Sequence, residues 1–261
     1  MLLYPLTHLR TIRLPLSYLA PCFAPQIART GVYVSYGEGR ISSDLLERSK
    51  SKELLTGLYL RRDMQVGYAL VSGGLGYNQY DTERTISFVN RRATNKHNAF
   101  VGTVYGERGL EIKRRNTVWQ PFLGLQYIGN QQESFTERGA DSLNLVGDLT
   151  TAHSLRSLLG TRVSTNVNRS LSLFGQAIWM HEFLGRTSTD FVGQFSNPGM
   201  SNFSSTSKFL VRGNNPGRDW AVVGAGFTRD NGRWRVFGGY DAYINNQQVL
   251  HTGNAGLMLG W

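Results

Sequence analysis

Few residues of this chain have the type and spacing that chemistry requires. Its five histidines stand at positions 8, 97, 153, 181 and 251 and never cluster, and the single cysteine is Cys22, so neither a metal-ligand set nor a disulfide framework can be drawn. His181-Glu182 places a base beside an acid. Neighbours in an extended strand point to opposite faces, however, and cannot act on one site. No G-x-S-x-G nucleophile elbow occurs. Gly37-Glu38-Gly39 and Ser72-Gly73-Gly74-Leu75-Gly76 open no helix pattern and are followed by no lysine, so they lack what a phosphate loop needs. The expectation is a protein without catalytic, cofactor or metal residues.

The charged residues point elsewhere. There are 28 basic and 18 acidic side chains in 261 residues, a net charge of +10. Only five of the basic residues are Lys, at 50, 52, 96, 113 and 208, and the arginines are dispersed instead of forming one tract. A nucleic-acid partner is not expected, because phosphate binding calls for a concentrated basic face. A dispersed surplus suits a solvated surface, a pore lining or a face that meets anionic lipid. No run of eighteen apolar residues exists, which excludes a helical membrane span but not a β-barrel, whose strands carry apolar side chains only at alternate positions.

The composition changes near residue 30. Before it lie four of the seven prolines and Cys22 with no Gly, Asp or Glu, and residues 1–30 read as a leader or signal-like segment without a stable fold. From Gly31 to Trp261 the chain reads as strands, because period-two alternation with aromatic and β-branched residues recurs. The clearest case interleaves Trp119, Pro121, Leu123, Leu125 and Tyr127 with Gln120, Phe122, Gly124, Gln126 and Ile128. Ten such segments are expected, near 31–43, 53–62, 65–80, 98–113, 118–130, 154–165, 170–184, 219–229, 233–244 and 252–261. Each is long enough for a tilted strand to cross a bilayer. Tight turns at 61–64, 114–117, 166–169 and 230–232 alternate with long polar loops near 81–97, 131–152 and 185–218, the asymmetry of an outer-membrane barrel with its short turns in the periplasm.

That parity assigns faces. Gln120, Gln126, Arg156, Arg162, Glu182, Arg235 and Asp241 are expected to line the lumen, where charge is tolerated, and the lumen glycines Gly124, Gly160, Gly224 and Gly239 to leave room for a threaded segment. Trp119, Tyr127, Trp179, Trp234 and Tyr240 are expected at the membrane interfaces, where one end of the ring is dry and the other wet. Leu257, Leu259 and Trp261 close the last alternating strand on one face, as a C-terminal assembly signal would.

Four stretches in order carry a family resemblance. Val118 to Ile128 (VWQPFLGLQYI) is followed by Phe135-Thr136-Glu137 and by Gly139 to Leu145. Next come Ser154 to Val163 (SLRSLLGTRV), Ala177 to Phe183 (AIWMHEF), and the ending Leu257-Met258-Leu259-Gly260-Trp261. Together they resemble the translocator barrel of bacterial autotransporters over roughly residues 31–261. The resemblance implies an all-β, antiparallel, up-and-down transmembrane barrel in the bacterial outer membrane. It also implies a role in exporting or anchoring a passenger, with outer-membrane lipid, the barrel-assembly machinery and periplasmic chaperones as partners. Family barrels usually have twelve strands with a helix in the pore. About ten are counted here, so the chain is expected to lack the first two strands and the passenger, as an N-terminally truncated remnant would. A porin-like channel for small solutes is the alternative, and a soluble all-β binding protein a lesser one.

Overall fold

The computed structural model describes residues 10–14, 28–42, 47–184, 191–195, 208–211 and 217–259. Among them sixteen strands are found. In chain order they are β1 (Arg10–Leu14), β2 (Ala28–Ser42), β3 (Glu47–Met64), β4 (Gly67–Ile86), β5 (Arg91–Gly109), β6 (Ile112–Arg114), β7 (Thr117–Gln132) and β8 (Phe135–Thr136). The second half holds β9 (Leu145–Gly147), β10 (Thr150–Asn166), β11 (Leu171–Glu182), β12 (Phe191–Phe195), β13 (Lys208–Val211), β14 (Asp219–Asp230), β15 (Trp234–Ile244) and β16 (Val249–Leu259). The helical content of the described residues is two single 3₁₀ turns, Ser87–Val89 and Asp141–Leu143. No helix there is long and apolar enough to cross a membrane.

Ten long strands, β2, β3, β4, β5, β7, β10, β11, β14, β15 and β16, follow one another antiparallel in a single sheet, each beside its sequence neighbour. They are the ten expected segments, most of them longer than the alternation indicated. The short β1 adds to one edge through Arg10 opposite Glu38, and no ladder joins it to β16 among the described residues, so the sheet is an open half-barrel. The remainder of residues 1–27 lies outside the described residues, as does Trp261.

Register assigns the two faces without ambiguity, since pairing places directly opposed residues on the same side. One side carries an exposed apolar residue on every long strand: Val32, Leu58, Leu75, Val104, Leu123, Leu159, Trp179, Val223, Tyr240 and Leu257 in order around the sheet. Leu75 is 72% exposed and Leu58 64%, values that water would penalise and hydrocarbon would not. An eleven-residue strand such as β16 rises about 36 Å, or roughly 28 Å when tilted by ~40°, which spans the apolar band of an outer membrane. The 20 residues of β4 and 19 of β5 rise about 65 Å, so their outer ends stand roughly 20 Å beyond that band.

Several turn and loop expectations shift. The tight turn expected at 61–64 falls instead at Gln65 and Val66, because β3 continues to Met64 and Gly67, at φ +99°, supplies the left-handed step. The stretch 81–97 is not a long loop. Its polar residues extend β4 and β5 as a paired ladder up to the turn at Ser87–Asn90, joined by Arg92–Glu83 and Lys96–Asp81 ion pairs at 3.2 and 3.6 Å. Within 131–152 and 185–218, β8, β9, β12 and β13 form a second, four-stranded sheet that ties the two connections together. It is anchored by buried Glu137, which accepts from Leu145 N–H and pairs with Arg84 at 2.6 Å.

Pro121 sits within β7 without breaking the sheet. Gly109 pairs with Phe122 and Ile112 with Trp119, so the missing proline N–H falls in the gap between β5 and β6.

Candidate functional site: the inner face of the sheet

Opposite the apolar band, the inner face is organised in rows of directly opposed residues that cross the strands at right angles. Toward the short turns lies a polar row, Gln120, Arg162, Gln176, Gly224, Asp241 and Thr252, each opposite the next across β7, β10, β11, β14, β15 and β16. Within it Gln176 Nε2 donates to Asp241 Oδ1 at 2.6 Å, reaching over Gly224, where a side chain would collide with that carboxylate.

Above it stands an apolar row made by Phe122, Ile178, Val222, Tyr243 and Leu250, with Gly160 beneath the Phe122 ring. The next level adds Leu158, Met180 and Trp220. These residues pack as one cluster, with Phe122 and Val222 each 3% exposed. Higher again, toward the long connections, Gln126, Arg156 and Glu182 are opposed in a second polar row. Glu182 is buried there, receiving Arg156 at 3.0 Å, the Ser154 hydroxyl at 2.5 Å and the Leu155 N–H at 2.9 Å.

The strongest electrostatic feature joins strands that are not neighbours. Arg162 on β10 extends across β7, its guanidinium 3.9 Å from the Phe122 ring centre, and grips Glu107 of β5 through two bonds of 2.7 and 2.9 Å. The Glu107 side chain is 1% exposed and also accepts from the hydroxyls of Tyr68, at 2.5 Å, and Tyr105. Arg61 lies over the Tyr68 ring at 4.1 Å. A fork-to-fork pair of this kind is strong because both acceptor oxygens are engaged in a low-dielectric surrounding. It ties β4, β5 and β10 around the intervening β7, which only a concave sheet permits over two strand spacings of about 9.6 Å.

All seven expected lumen residues fall on this face by register. Gln120, Arg162 and Asp241 meet in the lower row, and Gln126, Arg156 and Glu182 in the upper. Arg235 stands apart at the rim, half exposed and paired with Asp230 at 2.5 Å beside the Asn231-Gly232 turn. Sequence reasoning missed Glu107, Tyr68 and Tyr105. The alternation Thr103, Tyr105, Glu107 within an expected strand was the available signal, since it puts a lone acid on the inner side.

The expected lumen glycines are covered by neighbouring side chains. Rings and side chains already fill the space above the expected glycines: Tyr105 covers Gly124, Phe122 and Ile178 cover Gly160, Asp241 and Gln176 cover Gly224, and Phe174 and Asn254 cover Gly239. The reason is general to this face. Glycine stands directly across from an aromatic residue at Gly31 and Tyr59, Gly57 and Tyr33, Gly109 and Tyr68, Gly226 and Phe174, and Gly256 and Phe237, so the ring lies down over its partner.

On the outward face the aromatic residues form two levels. Trp119 and Trp234 stand near the short turns, with the Trp119 indole N–H donating to the Thr161 hydroxyl. Toward the other border, Tyr127 bonds His153 at 2.8 Å, Trp179 Nε1 donates to Asp219 at 3.1 Å, and Tyr240 bonds His251. His181 joins Asp219 on that face while Glu182 lies on the opposite one, so the two adjacent residues serve different surroundings. Leu257 points outward and is 61% exposed, and Leu259 pairs with Trp234. Among the described residues no three His, Cys, Asp or Glu side chains are grouped to hold a metal ion.

Comparison with known proteins agrees with this architecture. The family model described as Autotransporter beta-domain matches residues 25–241. Among solved structures, the translocator domain of autotransporter NalP from Neisseria meningitidis superposes with a TM-score of 0.72 at 18% identity, over 89% of this chain and 75% of that one. The transport unit of the autotransporter AIDA-I from Escherichia coli matches 95% of each chain at 13% identity and a TM-score of 0.39. A search of curated proteins finds no match.

Proposed function

Since this chain belongs to the autotransporter β-domain family, we propose that it works as an outer-membrane translocator that helps carry a passenger to the cell surface or hold it there. The single observation that supports this best is the outward apolar face, continuous from Val32 on β2 to Leu257 on β16, which suits acyl chains and nothing in water. Trp119 and Trp234 at one border, with Tyr127, Trp179 and Tyr240 at the other, serve as interface anchors. Trp119 and Tyr127 are eight residues apart, about 26 Å along the strand and ~20 Å along the membrane normal, close to the ~25 Å of an outer-membrane apolar band.

In this reading Gln120, Gln126, Arg156, Arg162, Glu182 and Asp241 line the lumen in two polar rows, and Arg235 guards the periplasmic rim. Leu257, Leu259 and Trp261 present the assembly signal, and the barrel-assembly machinery and periplasmic chaperones are the partners that insert the chain. The leader assigned to residues 1–30 overlaps the sheet at β1 and at the start of β2, so a leader role is left to the stretches outside those strands. The apolar rows across the inner face weigh against a standing porin-like channel, because a small-solute pore needs a continuous wet path.

The test is expression of the full chain behind a secretion signal with an epitope fused ahead of residue 1. The translocator reading expects heat-modifiable mobility of the outer-membrane fraction and an epitope that external protease removes from intact cells. A chain that stays in the soluble periplasmic fraction, or an epitope protected until the outer membrane is broken, overturns it.

A further inference from the structure

The outward face is not uniform. On the β2 to β5 side lies a groove of about 730 Å³, walled by Leu58, Leu60, Val71 and Val104 and opened by Gly73. The absence of side chains makes it. A Cβ at Gly73 would meet only the Thr103 carbonyl at 3.7 Å, and one at Gly106, directly opposite Val71, would meet nothing within 4 Å. The volume is that of a ligand site, and its walls are mainly apolar, with Thr30 and Ser72 among them.

Register shows what stands at its lower end. Arg62, Ala69 and Arg108 are opposed in one outward row across β3, β4 and β5, two residues nearer the short turn than Leu60 and Val71. The two arginines therefore flank an alanine about 9.6 Å apart. Both are exposed, and no ion pair joins either to an acid among the described residues. Arg108 Nη1 donates to the Tyr68 carbonyl at 2.8 Å and to the Gly109 carbonyl at 3.5 Å, and Nη2 donates to the Val66 carbonyl at 3.5 Å, which steadies the guanidinium against the short turn and leaves its Nε–H and one Nη2 N–H for an anion. The row lies about 7 Å along β3 from Met64, so roughly 5 Å above the turn once the strand is tilted, at headgroup depth.

We propose that Arg62 and Arg108 with the groove above them form a binding site for an anionic phospholipid of the periplasmic-side leaflet. The phosphate sits between the two guanidiniums over Ala69, and one acyl chain lies in the groove against Gly73 and Leu60. Charge complementarity selects the headgroup, and the missing side chains admit the chain where a uniform strand surface would only graze it. The inference rests on membrane insertion of the outward face and adds a specific lipid to it.

The experiment is native mass spectrometry of the full chain, refolded in neutral detergent and checked for heat-modifiable mobility. It is titrated with phosphatidylglycerol or with phosphatidylcholine of identical acyl chains. A guanidinium near the membrane surface contributes about a fivefold preference for an anionic lipid, so the unaltered protein is expected to retain phosphatidylglycerol at least tenfold better. Arg62→Gln should lower that preference about fivefold and the Arg62→Gln/Arg108→Gln pair abolish it. Arg114→Gln, on the neighbouring short connection, should leave it unchanged. Gly73→Leu, which fills the groove, should reduce retention of both lipids. Equal retention of the two lipids, an unchanged preference in the double variant, or an equal loss in Arg114→Gln overturns the site. The mobility check separates that failure from failure of the barrel itself.

Discussion

At the scale of single residues, the pair Arg162 and Glu107 holds a carboxylate that is 1% exposed on the inner face. Glu107 is enclosed by Tyr68, Tyr105 and Arg162, so removing the arginine leaves a carboxylate in a dry surrounding with hydroxyl donors alone. Arg162→Met is expected to cost about 3–5 kcal/mol, the usual result of breaking a buried pair from one side. Arg162→Met/Glu107→Gln should recover much of it. Urea unfolding of the refolded protein in lipid vesicles, run as a double-mutant cycle, measures both; additive losses would mean that the two residues do not act as a pair. Arg162 was legible in the sequence because it recurs on the alternation of β10. Glu107 was not, since a lone acid in a strand says nothing about a partner 55 positions away, and only curvature brings it within reach.

Strands and their two faces set the next scale. Leu123 and Gln126 lie on one strand three residues apart and face opposite ways, so the same substitution separates their surroundings. Leu123→Arg near the middle of the apolar band is expected to lower the stability of the inserted protein by about 2–4 kcal/mol. Gln126→Arg, on the polar inner row beside Arg156, is expected to change it by less than about 1 kcal/mol. The readout is the urea midpoint in vesicles, and equal effects would refute the assignment of faces. Period-two patterning revealed these faces from residues alone. The patterning could not show how far strands continue past the bilayer, because Asp81, Glu83, Arg92 and Lys96 look like loop residues until they pair across a hairpin. Nor could it show β8, β9, β12 and β13. They are two to five residues long, and their pairing crosses from one connection to another.

For the molecule as a whole, the inner face decides between an open channel and an occupied one. The rows through Phe122 and Trp220 stand between two polar levels, and in the proposed reading a closed barrel would dewet across them and so block ions without any lid. The Phe122→Ala/Trp220→Ala variant should therefore conduct several-fold more than the unaltered protein in planar bilayers. An unchanged single-channel conductance would show that the rows do not limit the path. Truncation of each ring also costs about 3 kcal/mol, so heat-modifiable mobility has to accompany the recording. Ten strands, their order and the inward facing of the seven expected polar residues could be read from sequence; Glu107 with its two tyrosines could not. Nor could the cover over the inner glycines, because it depends on which side chain stands across from or beside each glycine, and that is a matter of register.

Among the described residues the unequal reach of the strands leaves the rim lopsided. From β2 to β5 a stiff ladder climbs well past the bilayer, while β14, β15 and β16 stop within a residue or two of it, at 12, 11 and 11 residues. The small sheet leans on the taller bank through Arg84 and the Thr94 to Arg138 bridge. A polypeptide coming out would meet a parapet on one flank and a low sill on the other. Its first extracellular contacts would then be one-sided, set by geometry before any sequence recognition begins.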